Sequence, residues 1–350
     1  MVGFVIKRLA WGVVLALLVT MITFFIFFIL PPNQPGSNRQ GIVSGNLESQ
    51  YDLESKSMPA QYVTFLNHVA HGNLGTSLRY NTSVRDEIQR ALPVTFSLIL
   101  GGTIMWLLIA FPIGIISALY PRSMLDKGLM AFVLIGVSAH PVWLGLSFSY
   151  LLGYRAHAFP IAGYCDFVYD RGSSVNQCGG PRFWAYHMIL PWFTFALLFA
   201  AFYARMIRAT VLETMDEDYV RTARAKGAGE WRVLRKHVLR NALLPVVAML
   251  SMDMVVISLT GVIFIETVYQ LPGLGTTLYQ ALTTSDMPII VGVVLVISFA
   301  VTITNMLADI AYCFLDPRLS LRGPRPQRSW GLGRLRPRAR TGITETAAEG

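Results

Sequence analysis

The stretch Val94-Thr-Phe-Ser-Leu-Ile-Leu-Gly-Gly-Thr-Ile-Met-Trp-Leu-Leu-Ile-Ala-Phe-Pro-Ile-Gly-Ile-Ile-Ser-Ala-Leu-Tyr120 contains no charged residue. A helix needs roughly 20 apolar residues to cross the hydrocarbon core of a bilayer, and this run is longer. Five further runs of the same kind lie near 9–30, 129–153, 186–208, 242–266 and 289–314. The intervals between them are polar or rich in Gly and Pro. Of the 350 residues, 53% are hydrophobic and only 14% are charged, where a soluble domain carries about 25% charged residues. The mean hydropathy is +0.49. This composition excludes a water-soluble domain, and it excludes disorder for most of the length. Three cysteines are too few for a disulfide scaffold or a Cys-rich metal site. The expected fold is all-α: a polytopic membrane protein with six transmembrane helices.

Orientation follows from where Lys and Arg fall. With the N-terminus inside, the inner segments hold 21 basic residues: Lys7, Arg8, Arg122, Lys127, nine from Arg205 to Arg240 and eight from Arg318 to Arg340. The outer loops (31–93, 154–185 and 267–288) hold eight basic and eight acidic residues and are neutral. The net charge of +9 is therefore a topology signal and gives no reason to expect nucleic acid as a partner. Both termini are expected in the cytoplasm. The chain divides into an N-terminal region with the first span (1–30), an extracytoplasmic loop (31–93), a core of five spans (94–315) and a basic, disordered tail (316–350). The apolar stretch Leu9–Leu30 is longer than a signal-peptide h-region and ends in Pro31-Pro32 without a small-x-small cleavage pattern, so it reads as a retained helix.

In the first outer loop, Asn33 to Asn46 is rich in Gly, Ser and Asn and reads as irregular. Tyr62, Phe65, Leu66 and Val69 recur at helical spacing within Pro59–Ala70. That helix either packs on the ends of the spans or serves as a docking surface. Cys165 and Cys178 share the second outer loop and are either disulfide-bonded or free thiols. Cys313, in the last span, reads as a small apolar filler. Small residues recur every four positions at Ala110, Gly114 and Ala118 and again at Gly145, Ser149 and Gly153. Such faces let helices approach closely. His140-Pro141 inside the third span reads as a kink.

The segment between the fourth and fifth spans carries the most information. It contains Asp218-Tyr219-Val220-Arg221-Thr222-Ala223-Arg224-Ala225-Lys226-Gly227 after a cluster of acids at Glu213, Asp216 and Glu217. Acids suit a helix N-terminus, and a glycine suits the left-handed residue after a helix end. A two-turn helix over Asp218–Lys226 follows. A second helix, Glu230–Asn241, places Trp231, Leu234, Val238 and Leu239 on one face, with Arg232, Arg235, Lys236 and Arg240 largely elsewhere. It reads as an interfacial helix in contact with membrane lipid. The first helix has too little apolar surface to stand alone. It either fits a groove on another protein, with Tyr219 as anchor, or is a plain loop helix at the headgroups.

Tyr219-Val-Arg-Thr-Ala-Arg-Ala-Lys-Gly227 resembles the coupling loop of ATP-binding-cassette importer permeases of the dipeptide/oligopeptide/nickel branch. The likeness continues through Arg240-Asn-Ala-Leu-Leu-Pro245, Glu266-Thr-Val-Tyr-Gln-Leu-Pro-Gly-Leu-Gly275, Asp286-Met-Pro288, Asn305-Met-Leu-Ala-Asp309-Ile-Ala-Tyr312 and Leu315-Asp-Pro-Arg318. Lys7-Arg8 and Gly72-Asn-Leu-Gly-Thr-Ser-Leu78 also fit. Arg221-Thr222-Ala223 stands where the general importer pattern has Glu-Ala-Ala, and the loop proline is displaced to Pro245; both departures are similar to the peptide branch. The long first outer loop looks like the B-type member of the permease pair.

The resemblance implies a non-catalytic permease subunit in the inner cell membrane. It would form half of a translocation path for di- or oligopeptides, with nickel as the alternative cargo, and would work by alternating access. Implied partners are a second homologous permease, two ATP-binding-cassette ATPase domains and an extracytoplasmic substrate-binding protein. The chain has no Gly-x4-Gly-Lys-[Ser/Thr] loop, so ATP and Mg would sit on the partner ATPases and this chain would bind no cofactor. Asp253, near mid-span, is either a structural hydrogen-bond acceptor or part of the path. Glu266 either lines the outer gate or anchors the loop after it. Asp309, near Asp316 and Arg318, reads as a structural ion pair. A gradient-driven secondary transporter would have no use for the Tyr219–Gly227 segment. An intramembrane enzyme would need facing catalytic groups, and the spans carry no such motif.

Overall fold

The apolar runs fold as helices, and several continue past their apolar part. The computed structural model describes residues 2–25, 57–77, 79, 81–167, 178–243, 245–247, 249–250, 253 and 261–315. Helix α1 spans Val2–Phe24, α2 Met58–Ala70, α3 Val84–Leu119, α4 Met124–Ser138 and α5 Pro141–Phe148. A π-helical turn, Ser149–Arg155, extends α5. Helix α6 spans Pro181–Met215 and α7 Asp218–Ala225. Helix α8 is built from Glu230–Val233, a π turn Leu234–Val238 and Leu239–Ala242. Helix α9 spans Gly261–Tyr269, α10 Leu274–Thr284 and α11 Met287–Leu315. Among the described residues there are no strands, only isolated bridges at Thr76–Ser83 and Asp166–Gly179. Among the described residues three helical stretches, Val84–Leu119, Pro181–Met215 and Met287–Leu307, are long and apolar enough to cross a membrane, four if the bent pair Met124–Gly136 and Pro141–Arg155 is one span, and Ala10–Phe24 is a shorter apolar one. The expected irregular stretch 33–46, the tail 316–350 and most of the expected fifth span lie outside the described residues.

Helices α3 and α6 lie parallel, in contact along most of their length. Trp192 Nε1 donates to Ser97 O at 2.9 Å, Gly102 faces Phe195, Gly114 faces Ala204 and Ile207, and Ser117 meets Arg208. A Cβ on Gly102 or Gly114 would run into those partners. The Ala110–Gly114–Ala118 stripe is thus the close-approach face towards α6. Where no water drives association, such packing holds helices together. Above this face Trp106, fully buried, meets Phe195, Phe199 and Tyr203 at ring distances of 5.9, 5.0 and 5.7 Å. The second small-residue stripe also packs: Gly145 faces Val268 of α9, Gly153 faces Ile161, and Ser149 Oγ donates to Ile161 O at 3.3 Å.

Because α3 and α6 run the same way, residues 120–180 must carry the chain back across the bundle. They include two helices, so the apolar stretch expected over 129–153 is broken at Ala139-His140 and not merely kinked. Helices α4 and α5 meet at 103°. The residue before a proline is driven out of the helical region, and His140 is extended at φ −66°, ψ 139°. Ala139 is extended too, at φ −91°, ψ 137°. The His140 ring Nδ1 then accepts from Val142 N at 3.3 Å, capping a new helix with Pro141 in its first turn. Two extended residues and a fresh cap break a helix where a single proline bends one.

The start of α11 packs on the start of α3, with Gly292 against Val84 and Ile88. Helix α1 runs antiparallel to α11: Phe24 shares a buried cluster with Val291 and Leu295, and Gly12 faces Thr302. Its other face, including Trp11, Val14, Leu18 and Met21, is exposed. Helix α2 forms where its periodicity places it and packs on the ends of the long helices. Phe65 is fully buried 5.6 Å from Phe24, and Tyr62 OH donates to Leu17 O at 3.1 Å.

Gly114→Leu is expected to cost about 1–3 kcal/mol through overpacking against α6. Thermal unfolding in detergent should show it as a lowered midpoint relative to Gly128→Leu, because nothing lies within 4 Å of a Cβ at Gly128.

Candidate functional site

Helix α7 is short, and its ends are made by local chemistry. Glu217 caps it in extended conformation and Asp218 sits in its first turn, where the helix dipole favours an acid. Lys226 is the C-cap, one residue earlier than the sequence suggests. Gly227 N donates to Arg224 O at 2.9 Å and Ala228 N to Ala223 O at 3.2 Å, the paired bonds of a Schellman stop. They require a left-handed residue, and Gly227 has φ +79°. Val220 is fully buried against the main core, while Asp218, Tyr219, Arg221, Thr222, Ala225 and Lys226 are exposed.

Helix α8 differs from its expected face. Val233, Leu234, Val238 and Ala242 are buried, whereas Trp231 is 72% exposed. Trp231 stands in the first turn of α8, ahead of the π turn, and lies off the face that buries Val233, Leu234 and Val238. Two side-chain joints tie α7 to α8. The Arg224 guanidinium donates to both Glu230 oxygens at 3.0 and 3.1 Å, and Asn241 Nδ2 donates to Tyr219 OH at 2.8 Å. The result is a hairpin mounted on the last turns of α6, with Tyr219, Thr222 and Ala225 exposed and Ala223 packed against the core.

A second joint at this end of the bundle was not read from the sequence. Asp126, in the first turn of α4, accepts from Arg208 Nε and Nη2 of α6 at 3.0 and 2.9 Å, from Ser117 Oγ of α3, and from Arg122 N at 2.9 Å. Asp126 N donates to Ser123 Oγ at 3.0 Å. The pattern Ser123-x-x-Asp126 resembles a capping box and is the signal that could have flagged it. A bidentate Arg–carboxylate pair is geometrically specific, and here it clamps three helices together.

The remaining candidates are scattered. Asp253 Oδ2 accepts from Tyr203 OH at 2.7 Å, linking it to the aromatic core. Glu266 is fully buried, which leaves it no surface towards a path. Its oxygens accept from Thr95 Oγ1 at 2.6 Å and Thr276 N at 3.0 Å, so it anchors the loop that follows. Cys165 and Cys178 are joined by a disulfide. His187 lies beside it, within 4.8 Å of both sulfurs, but sulfurs bonded to each other offer no thiolates to a metal. Gly163 N donates to Tyr269 O at 3.0 Å, fastening this loop to the end of α9. The side chains of Asp309 and Cys313 lie outside the described residues. The structure does not bring α7 together with Glu266: α7 adjoins the Met215 end of α6, and Glu266 lies with Thr95 near the opposite end of α3.

This fold is that of a helical integral membrane protein with an exposed α7–α8 hairpin at one end. Residues 110–321 match the sequence profile described as "Binding-protein-dependent transport system inner membrane component". The oligopeptide transport system permease protein AppB of Bacillus subtilis is 31% identical over 334 residues, covering 91% of this chain and 99% of that protein. The "Probable D,D-dipeptide transport system permease protein DdpB" of Escherichia coli is 30% identical over 335 residues, covering 91% of this chain and 98% of that protein. The chain belongs to the family of binding-protein-dependent transport system inner-membrane components.

Asp126→Asn is expected to release the clamp on Arg208, lowering the unfolding temperature and speeding amide exchange across 120–128. Exchange equal to the parent protein would show that the clamp bears no strain.

Proposed function

We propose that this chain is one permease subunit of an ATP-driven importer of di- and oligopeptides. The observation that carries the reading is the α7–α8 hairpin: a small, capped, exposed helix held rigidly on the end of the longest core helix pair. Such a helix can fit a cleft of a separate ATPase and pass its motion to the bundle as a rigid body. The order of contacts supports six crossings. Helices α1 and α11 are antiparallel, α3 and α6 are parallel, a first return runs through α4, with Asp126 at Arg208 and Gly136 at Leu197, and a second ends in α9. The Tyr203–Asp253 and Thr194–Tyr269 hydrogen bonds run the second return antiparallel to α6. The basic residues of 205–240 favour a cytoplasmic α7, and the six-span reading puts the start of α1 and the end of α11 on that side too. The disulfide, α2 and α10 then face outwards, where a substrate-binding protein would deliver its cargo.

The names of the relatives support peptide as the cargo. Asp253 would give the path a carboxylate: Tyr203 engages one oxygen, and among the described residues the other accepts no hydrogen bond. A peptide's terminal ammonium suits that oxygen. The second half of the path would come from a homologous permease, and ATP with Mg would be bound by two ATPase domains.

A gentle-detergent pull-down of the native assembly should recover a second permease and Walker-motif ATPases; a chain that comes out alone would overturn the reading. Gly227→Val forces a β-branched residue into the left-handed region, at about 1–2 kcal/mol or more of backbone strain. It should abolish ATPase recovery and peptide uptake at a normal level of the protein in the membrane. Asp253→Asn should leave the assembly intact while weakening uptake of peptides relative to their N-acetylated forms; an unchanged preference would remove Asp253 from the path.

A further inference from the structure

Helix α10 is bracketed by two buried carboxylates. Glu266 stands on α9 before it, fully buried, and Asp286 stands in the turn after it, 2% exposed. Each accepts a hydroxyl hydrogen from the N-terminal part of the chain. Thr95 Oγ1 of α3 donates to Glu266 Oε1 at 2.6 Å across 171 residues of sequence. Ser77 Oγ, in the segment leading into α3, donates to Asp286 Oδ2 at 2.5 Å across 209 residues.

Around Glu266, Leu274 N donates to Thr95 Oγ1 at 2.8 Å, and Thr95 Oγ1 donates to Glu266 Oε1. Thr276 N donates to Glu266 Oε2 at 3.0 Å. Both oxygens are thus acceptors, and among the described residues Glu266 forms no ion pair. A Cβ on Gly273 or Gly275 would strike the carboxyl group, so Pro272-Gly273-Leu274-Gly275 can close round it only because those two positions are glycine. The carboxylate is held by a main-chain cradle and a hydroxyl instead of a cation.

We infer that Glu266 and Asp286 are positioning residues that fix α10 to α3 and its preceding segment, so that the first half of α3, α10 and the start of α11 move as one block during transport. Pulling α10 off α3 would strand a buried carboxylate without its donors, which is costly in a dry site. The displacement between the two open states then falls on other joints. The cradle is a property of the chain alone, and only the passage of the block through a cycle rests on the importer reading.

Hydrogen exchange of the full chain in lipid nanodiscs tests the cradle. Glu266→Gln keeps the shape but turns an amide N–H₂ towards a site whose partners all donate. It should speed exchange of the 273–276 amides about tenfold, the size of one lost buried hydrogen bond. Thr95→Val should do the same, and the double variant should be no faster than either single one. Thr95→Ser, which keeps the hydroxyl, should exchange like the parent. Ser77→Ala should speed exchange over 281–290. Parent-like exchange in both Glu266→Gln and Thr95→Val, or in Ser77→Ala, overturns the assignment at that carboxylate. Should Glu266→Gln fail to fold, the contrast of Thr95→Val with Thr95→Ser decides. In the assembly with its ATPases, exchange at 274 and 276 should match between the nucleotide-free and ATP-trapped states; a tenfold rise in either would show that the cradle opens and would overturn the rigid block. An assembly without ATPases would instead count against the importer reading, and exchange in the chain alone would still judge the cradle.

Discussion

The parallel contact between α3 and α6 is the constraint from which the other placements follow. It depends on backbone approaching side chain directly: Trp192 and Phe195 lie over Gly101 and Gly102, and Ile207 lies over Gly114. In a lipid environment there is no hydrophobic gain from hiding one apolar helix against another, so contact area and shape carry the association. Two helices locked in the same direction force the chain to return between them, and described residues after α6 run back along it a second time. Helices α4 and α5 make the first return, with Gly136 set against Leu197. The segment ending in α9 makes the second, pinned where Tyr269 OH meets Thr194 Oγ1 at 2.7 Å.

The two ends of the bundle are built differently. At one end the α7–α8 hairpin is held by a helix stop, one buried valine and partly exposed polar joints. An eight-residue helix is marginal by itself, and these joints hold its shape while leaving its surface bare for a partner. At the other end, buried carboxylates, glycines and hydroxyls lock α10 in place. Exposed pairs are cheap to rearrange, whereas buried acceptors are not. On the importer reading proposed above, in which a partner on one side drives a path that opens on the other, a replaceable contact would suit the first end and a fixed element the second.

Much of this was legible from residue order alone. Apolar runs marked the long helices, because length and the absence of charge are local properties. Gly227 marked the end of α7, because a helix stop is written within six residues. The small-residue stripes marked close packing. Other features were not legible. A proline within an apolar run reads equally as a bend or a restart, and only the extended backbone at Ala139 and His140 decided for two helices. The periodicity of α8 grouped Trp231 with Leu234 and Val238, and only the way α8 seats on the bundle left Trp231 exposed. Glu266 read equally as a gate lining or an anchor, since its decisive partner, Thr95, is 171 residues away in sequence.

The sequence by itself determined the membrane-spanning helical class, the sidedness signal in Lys and Arg, the stop of α7 and the family to which the motifs point. All of these are written in neighbouring residues or in composition. The tertiary structure alone decided that α3 and α6 are parallel, that Asp126 clamps three helices, that Cys165 and Cys178 pair, and that Glu266 is enclosed rather than displayed. Each of those depends on which distant side chains share a small volume once the backbones have approached, and no local pattern encodes that distance.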